Sequence, residues 1–204
     1  MNLEQTIRHH FKDLTAAGSR PRTTILAAPE SKGFPKVKQR LRSKLQKALR
    51  SYNSNGDIGR FSGRVKAELS DAYKSAYQLG VGDKDLSPKE KKFVDDVQAD
   101  QFKYLDGFLS DIDADEGKMD YGQRLDMYVE KVDSVYWSGA VKSLDDDTEI
   151  YWNTMPGESC EDCIELEEGG PYSPEELPTT PRAGDTACIG NCNCILTTEH
   201  NEAE

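Results

Sequence analysis

All five cysteines of the chain fall in its last quarter, as Cys160-Glu161-Asp162-Cys163 and Cys188-Ile189-Gly190-Asn191-Cys192-Asn193-Cys194, and none precedes residue 160. Two short clusters of soft sulfur ligands, brought together by folding, suit one tetrahedral structural zinc ion. The segment between them contains Gly169-Gly170-Pro171-Tyr172-Ser173-Pro174, which has turn chemistry and few large apolar residues. A bound metal is therefore expected to stand in for a hydrophobic core. Cys160 and Cys163 supply one pair of ligands. Two of Cys188, Cys192 and Cys194 supply the other: residues 192 and 194 share a face of a strand, and 188 with 192 spans a wider turn. Spacing leaves that choice open, so the predicted site is four of these five sulfurs.

The rest of the 204-residue chain must fold around this small module. Only 36% of it is hydrophobic, and its mean hydropathy is -0.75. That balance suits long helices with wide solvated faces. There is no apolar run long enough to cross a bilayer. The first residues, Met1-Asn2-Leu3-Glu4-Gln5, lack the basic start and apolar block of a secretory signal, and the odd cysteine count argues against a disulfide framework. Charge is polarised along the chain. Residues 1–50 carry 12 Lys/Arg against 3 Asp/Glu, whereas residues 151–204 carry Arg182 alone against 12 acids. Since phosphate binding needs a basic surface, only the N-terminal quarter could touch nucleic acid.

Apolar periodicity predicts the helices. Leu3, Ile7, Phe11 and Leu14 mark a short one over 3–17, which holds His9 and His10 as surface residues. Pro21, Pro29, Gly33 and Pro35 mark an extended linker. From Lys36 to Tyr52 a basic amphipathic helix sets Val37, Leu41, Leu45 and Leu49 against Lys36, Lys38, Arg40, Arg42, Lys44 and Lys47. Those six cations are candidate contacts to DNA or to an acidic protein partner; the plainer expectation is a helix packed on the body with a solvated charged face. Further helices are expected over 61–79, ended by Gly80-Val81-Gly82; from the capping box Ser87-Pro88-Lys89-Glu90 to Ile112; and from Asp120 to about Leu144. Asp145-Asp146-Asp147 then caps or stays solvated. Residues 149–152 and 194–198 read as two short partner strands flanking the cysteine clusters.

Catalytic uses of a Cys-x-x-Cys fit less well. Glu158, Glu161, Asp162 and Glu165 surround the first pair and are expected to raise its thiol pKa values, and no strand–turn–helix redox unit is expected here. A zinc deaminase needs His-x-Glu upstream of the cysteines. The only such spacing, His200-Asn201-Glu202, follows them.

Several short motifs, taken in order, resemble a known family. They are Tyr151-Trp152-Asn153-Thr154, Cys160-x-x-Cys163-x-x-Leu166, Gly170-Pro171-Tyr172, Leu177-Pro178, Pro181-Arg182-Ala183-Gly184-Asp185-Thr186, and Cys188-x3-Cys192-Asn193-Cys194. Together they are similar to the C-terminal zinc module of tailed-phage head morphogenesis proteins, the Mu F-like minor head proteins. Ala72 to Gly82, Gln101-Phe102-x-Tyr104-Leu105 and Arg124-x-x-Met127-Tyr128 resemble their helical part. Many members end His-Pro-Asn-Cys-Arg-Cys. Here Cys188-Ile189-Gly190-Asn191 stands in place of His-Pro-Asn, which leaves Cys188 as either a replacement ligand or a spare thiol.

The resulting expectation is a mostly α protein, an elongated helical body with a small C-terminal β/zinc-knuckle module. Its parts are a basic helical arm and linker (1–56), a helical body (57–147), the zinc module (148–198) and a mobile tail (199–204). The resemblance supplies no catalytic residues, and no membrane partner is expected. It implies a structural minor head protein, in the virion and in the host cytoplasm during assembly, present in several copies. Its partners would be portal or major capsid protein, and packaged DNA through the basic arm. The rival expectations are an intracellular zinc adaptor for another protein and, behind it, a thiol oxidoreductase.

Overall fold

A computed structural model describes residues 33–82, 85–113, 120–155, 157 and 159–198. The helix expected over 3–17, most of the linker, His9, His10, Glu158 and the tail from residue 199, with His200, lie outside these. Four long helices come first: α1 (Phe34–Asn55), α2 (Ile58–Val81), α3 (Pro88–Asp113) and α4 (Tyr121–Lys142). They are followed by β1 (Tyr151–Asn153), the short α5 (Glu161–Gly169), a 3-10 turn (Ile189–Asn191) and β2 (Ile195–Thr197). The protein is thus mostly helical, with a small C-terminal two-stranded sheet.

Local chemistry explains where the helices start and stop. Asp57 accepts a hydrogen bond from the Arg60 N–H at 2.9 Å, and Asp120 does the same for Gln123. The Ser87–Glu90 capping box forms in both directions, with the Ser87 N–H on Glu90 at 2.7 Å and the Glu90 N–H on Ser87 at 3.3 Å. Gly56 and Gly82 close α1 and α2 in the left-handed conformation that glycine adopts without penalty.

α2 and α4 are the central pair. Val65, Leu69, Tyr73 and Ala76 of α2 and Val129, Val132, Tyr136 and Ala140 of α4 are almost wholly buried. Each fully buried large side chain contributes about 1.5–3 kcal/mol. The two backbones nearly touch. A Cβ at Gly80 would lie 2.2 Å from the Tyr136 carbonyl oxygen, and one at Gly139 would lie 2.5 Å from that of Tyr77. α2 ends within Gly80-Val81-Gly82, as the sequence suggested, with Gly80 as the point of close approach. The helix runs through it to Val81, and Gly82 is the stop.

α1 packs on the body, the plainer of the expectations for residues 36–52. Phe34, Leu41, Leu45 and Ala48 are buried in the same core as α2 and α4, and Phe34 meets Tyr136 with ring centroids 4.7 Å apart. The apolar stripe is wide enough to pack, and its basic flank finds carboxylates on α4. Asp145, Asp146 and Asp147 are exposed, and the Asp145 carbonyl accepts from the Thr148 N–H in a turn. A groove of about 760 Å³ lies between α3, α4 and the 174–185 loop, with Phe93, Val97, Val135 and Leu177 in its walls.

Candidate metal centre

The two strands pair antiparallel in the register Tyr151–Thr197, Trp152–Leu196 and Asn153–Ile195. Ile150 extends the pairing by exchanging backbone hydrogen bonds with Tyr172 at 2.7 and 2.9 Å. Ile150, Trp152 and Leu196 are buried in the core shared with the helices. β1 thus brings the chain into the first cysteine turn, and β2 carries it away from the second.

Cys160 is the N-cap of α5, and Glu161 and Asp162 occupy its first turn, where acidic groups favour a helix start. Cys163 follows one turn in, wholly buried. On the other side, the 3-10 turn spans the interval between Cys188 and Cys192, with the Asn191 N–H on the Cys188 carbonyl at 2.9 Å. Ile189 holds φ 52° there, a left-handed setting that costs a β-branched residue about 1–2 kcal/mol. Asp162 ties the halves together by accepting the Ala187 N–H at 2.7 Å.

All five predicted sulfurs converge. Cys163 Sγ lies 3.7 Å from Cys188 Sγ and 3.7 Å from Cys192 Sγ. A tetrahedron with Zn–S bonds of about 2.3 Å has S···S edges of about 3.8 Å. Cys160, Cys163 and Cys188 lie mutually within 4.8 Å, as do Cys163, Cys192 and Cys194. Cys163 is the shared member. None of the five is in a disulfide, and 3.7 Å is far beyond a sulfur–sulfur bond. The five cysteines form a buried cluster that could hold a metal ion such as zinc.

Electrostatics show what such an ion would change. Burial raises the Cys163 thiol pKa, and the hydrogen bond it donates to Cys160 and the charge of Cys192 add to the rise. The hydrogen bond with Cys194 and then burial raise Cys192; burial also raises Cys188. Sulfurs this close resist joint ionisation in each other's company, and a divalent cation reverses that by holding its thiolates deprotonated. Each of the two triads that share Cys163 offers three sulfurs within 4.8 Å of one another, and soft sulfur donors of this kind suit zinc.

Cys160 departs from expectation. Burial pushes its thiol up, but hydrogen bonds from the backbone N–H groups and the side chains of Cys163 and Cys188 together outweigh this and bring it down to about 7.

The basic residues of α1 divide into two groups. Lys38 bridges Glu130 at 2.6 Å and Asp133 at 2.9 Å, Arg42 bridges Asp126 and Glu130 at 2.9 Å each, and Lys44 pairs with Glu68. Lys36, Arg40 and Lys47 are exposed.

Residue pattern alone assigned no role to the groups that join the cysteine module to the body. Arg182 donates from Nε to the Cys192 carbonyl at 2.8 Å and from one terminal nitrogen to Asn193 Oδ1 at 3.2 Å. Its other terminal nitrogen meets Asp133 at 2.8 Å and also pairs with Glu130. The available signal was its solitude as a cation in an acidic stretch. Lys131 reaches the Ala183 carbonyl, and Thr186 Oγ1 sits 3.2 Å from Cys188 Sγ.

Comparison of the chain with family models, with curated proteins and with solved structures gives no match.

Proposed function

We propose that this chain is a non-enzymatic structural protein of a tailed-phage head, a minor head protein whose C-terminal module is held by one structural zinc. One observation carries the reading. The motifs that resemble the Mu F-like family are scattered over residues 151–194, yet in space they build a single unit. Tyr151-Trp152-Asn153 is β1, Cys160-x-x-Cys163 opens α5, Pro181-Arg182 braces the second cysteine loop, and Cys192-x-Cys194 leads into β2. The zinc completes the unit through four of Cys160, Cys163, Cys188, Cys192 and Cys194.

The helical body would present the module to portal or major capsid protein in several copies per particle, with assembly in the host cytoplasm. DNA contact would fall to Lys36, Arg40 and Lys47, since Lys38, Arg42 and Lys44 are engaged inside the chain. The test is to co-express the chain with portal and capsid proteins and purify the particles. The chain should co-purify in several copies, with about one zinc each. Its absence from particles and from portal complexes would leave the zinc adaptor as the better reading.

One observation favours a second reading. A Cys160 thiol near pKa 7 at the start of α5 is the setting of a thiol oxidoreductase. That reading needs metal-free sulfurs that cycle between thiol and disulfide. Metal analysis of the purified chain separates the two.

A further inference from the structure

We propose that Arg182 is the positioning residue of the metal centre, holding the Cys192–Cys194 loop against α4 by bridging its backbone to the carboxylates of Glu130 and Asp133. The proposal rests on the zinc reading above and goes beyond it by naming what aims the second half of the site.

Four groups converge on this one guanidinium. The Cys192 carbonyl and Asn193 Oδ1 are on the loop, and Glu130 and Asp133 are on α4. The Arg182 side chain is only 17% exposed, and Asp133 is 9% exposed. Arg182 itself holds φ 64°, a backbone setting that a non-glycine residue keeps only where its surroundings fix it. The carbonyl it grips belongs to Cys192, whose sulfur stands 3.7 Å from Cys163. Fixing that peptide sets where the sulfur points. A planar fork with five donors can serve a carbonyl, an amide oxygen and two carboxylates together; a lysine ammonium cannot reach all four.

Lys38 supplies the control. It reaches the same two carboxylates, at 2.6 and 2.9 Å, and comes from α1, at the opposite end of the sequence from the loop. A residue that merely neutralised Glu130 and Asp133 would behave as Lys38 does. A residue that aims the ligand would not.

The experiment uses the full chain loaded with zinc and follows transfer of the metal to a colorimetric chelator in the wild type, Arg182→Gln, Arg182→Lys and Lys38→Gln. Groups supporting metal ligands in this way typically change affinity 10–100-fold when removed. Arg182→Gln and Arg182→Lys should each weaken zinc retention by about that factor, with Lys38→Gln close to wild type. The ligand-field absorption of the cobalt-substituted chain should change in Arg182→Lys and not in Lys38→Gln. If Arg182→Gln loses its helical circular dichroism, Arg182→Lys, which keeps the charge, carries the comparison. Wild-type retention in Arg182→Lys, or equal loss in Lys38→Gln, overturns the proposal. A wild-type chain that binds no zinc at all overturns the zinc reading beneath it.

Discussion

Glu130 and Asp133 share their cations yet titrate in opposite directions. Burial raises the Glu130 carboxyl, but the Lys38 hydrogen bond and the charges of Lys38, Arg182 and Arg42 overcome it, so its pKa falls below the ordinary value. Asp133 has Lys38 and Arg182 as well, but it lies deeper, and burial wins. The sign for stability follows from Glu130. As pH falls, the unfolded chain takes up this proton first, near the ordinary glutamate value of about 4.3. The stabilisation by Glu130 is therefore present above that pH and is lost as pH drops through the lowered folded value. Urea unfolding of wild type and Glu130→Gln from pH 7 to 3 should show a gap that narrows on the acid side. A gap of constant size would refute this account of the ion cluster. The cysteines were legible as a site because metal chemistry prescribes residue type and spacing. The cluster around Glu130 was not, because its members stand far apart in the chain, 52 positions for Glu130–Arg182 and 95 for Lys38–Asp133, and a sequence shows each as one more surface charge.

Among the elements, the crossing of α2 and α4 depends on two glycines. At Gly139 a methyl group would press on the Tyr77 carbonyl and on the backbone of Gly80 and Val81, none of which can move aside as a flexible side chain would. Gly139→Ala should cost about 1–3 kcal/mol, as overpacked cores do. Gly63→Ala lies on the same α2 with nothing within 4 Å and should gain up to about 1 kcal/mol from helix propensity alone. Denaturant midpoints for the two variants should move in opposite directions. A common shift would mean that helix propensity, and not contact, governs both. The four long helices and the strand pair were readable from periodicity, caps and turn residues. The packing role of Gly80 was not legible, because a glycine that ends a helix and one that admits a neighbour look alike until the neighbour is placed.

For the whole molecule, the question is how far the sulfurs support the fold. Zinc binding to peptide-sized sites is worth about 10–16 kcal/mol, comparable to the stability of an entire domain. Ile150, Trp152 and Leu196 nevertheless join the helical core, so the module has apolar anchorage that the sequence did not reveal. Chelation should therefore expose residues 150–198 to protease and shift the fluorescence of Trp152 to the red, while most helical circular dichroism from α1, α2 and α4 persists. Unchanged protease resistance would show that the metal is dispensable for the fold. Collapse of the helical signal would show that body and module are one cooperative unit.

The carboxylates on α4 also impose a calendar. On the ribosome, Lys38 emerges before Glu130 and Asp133, and Arg182 follows about fifty residues after them. In that interval the nascent body holds two acidic groups matched to α1 from one side only. Closure of the cysteine loop delivers the missing counter-ion, so a segment made later completes the charge balance of segments made earlier.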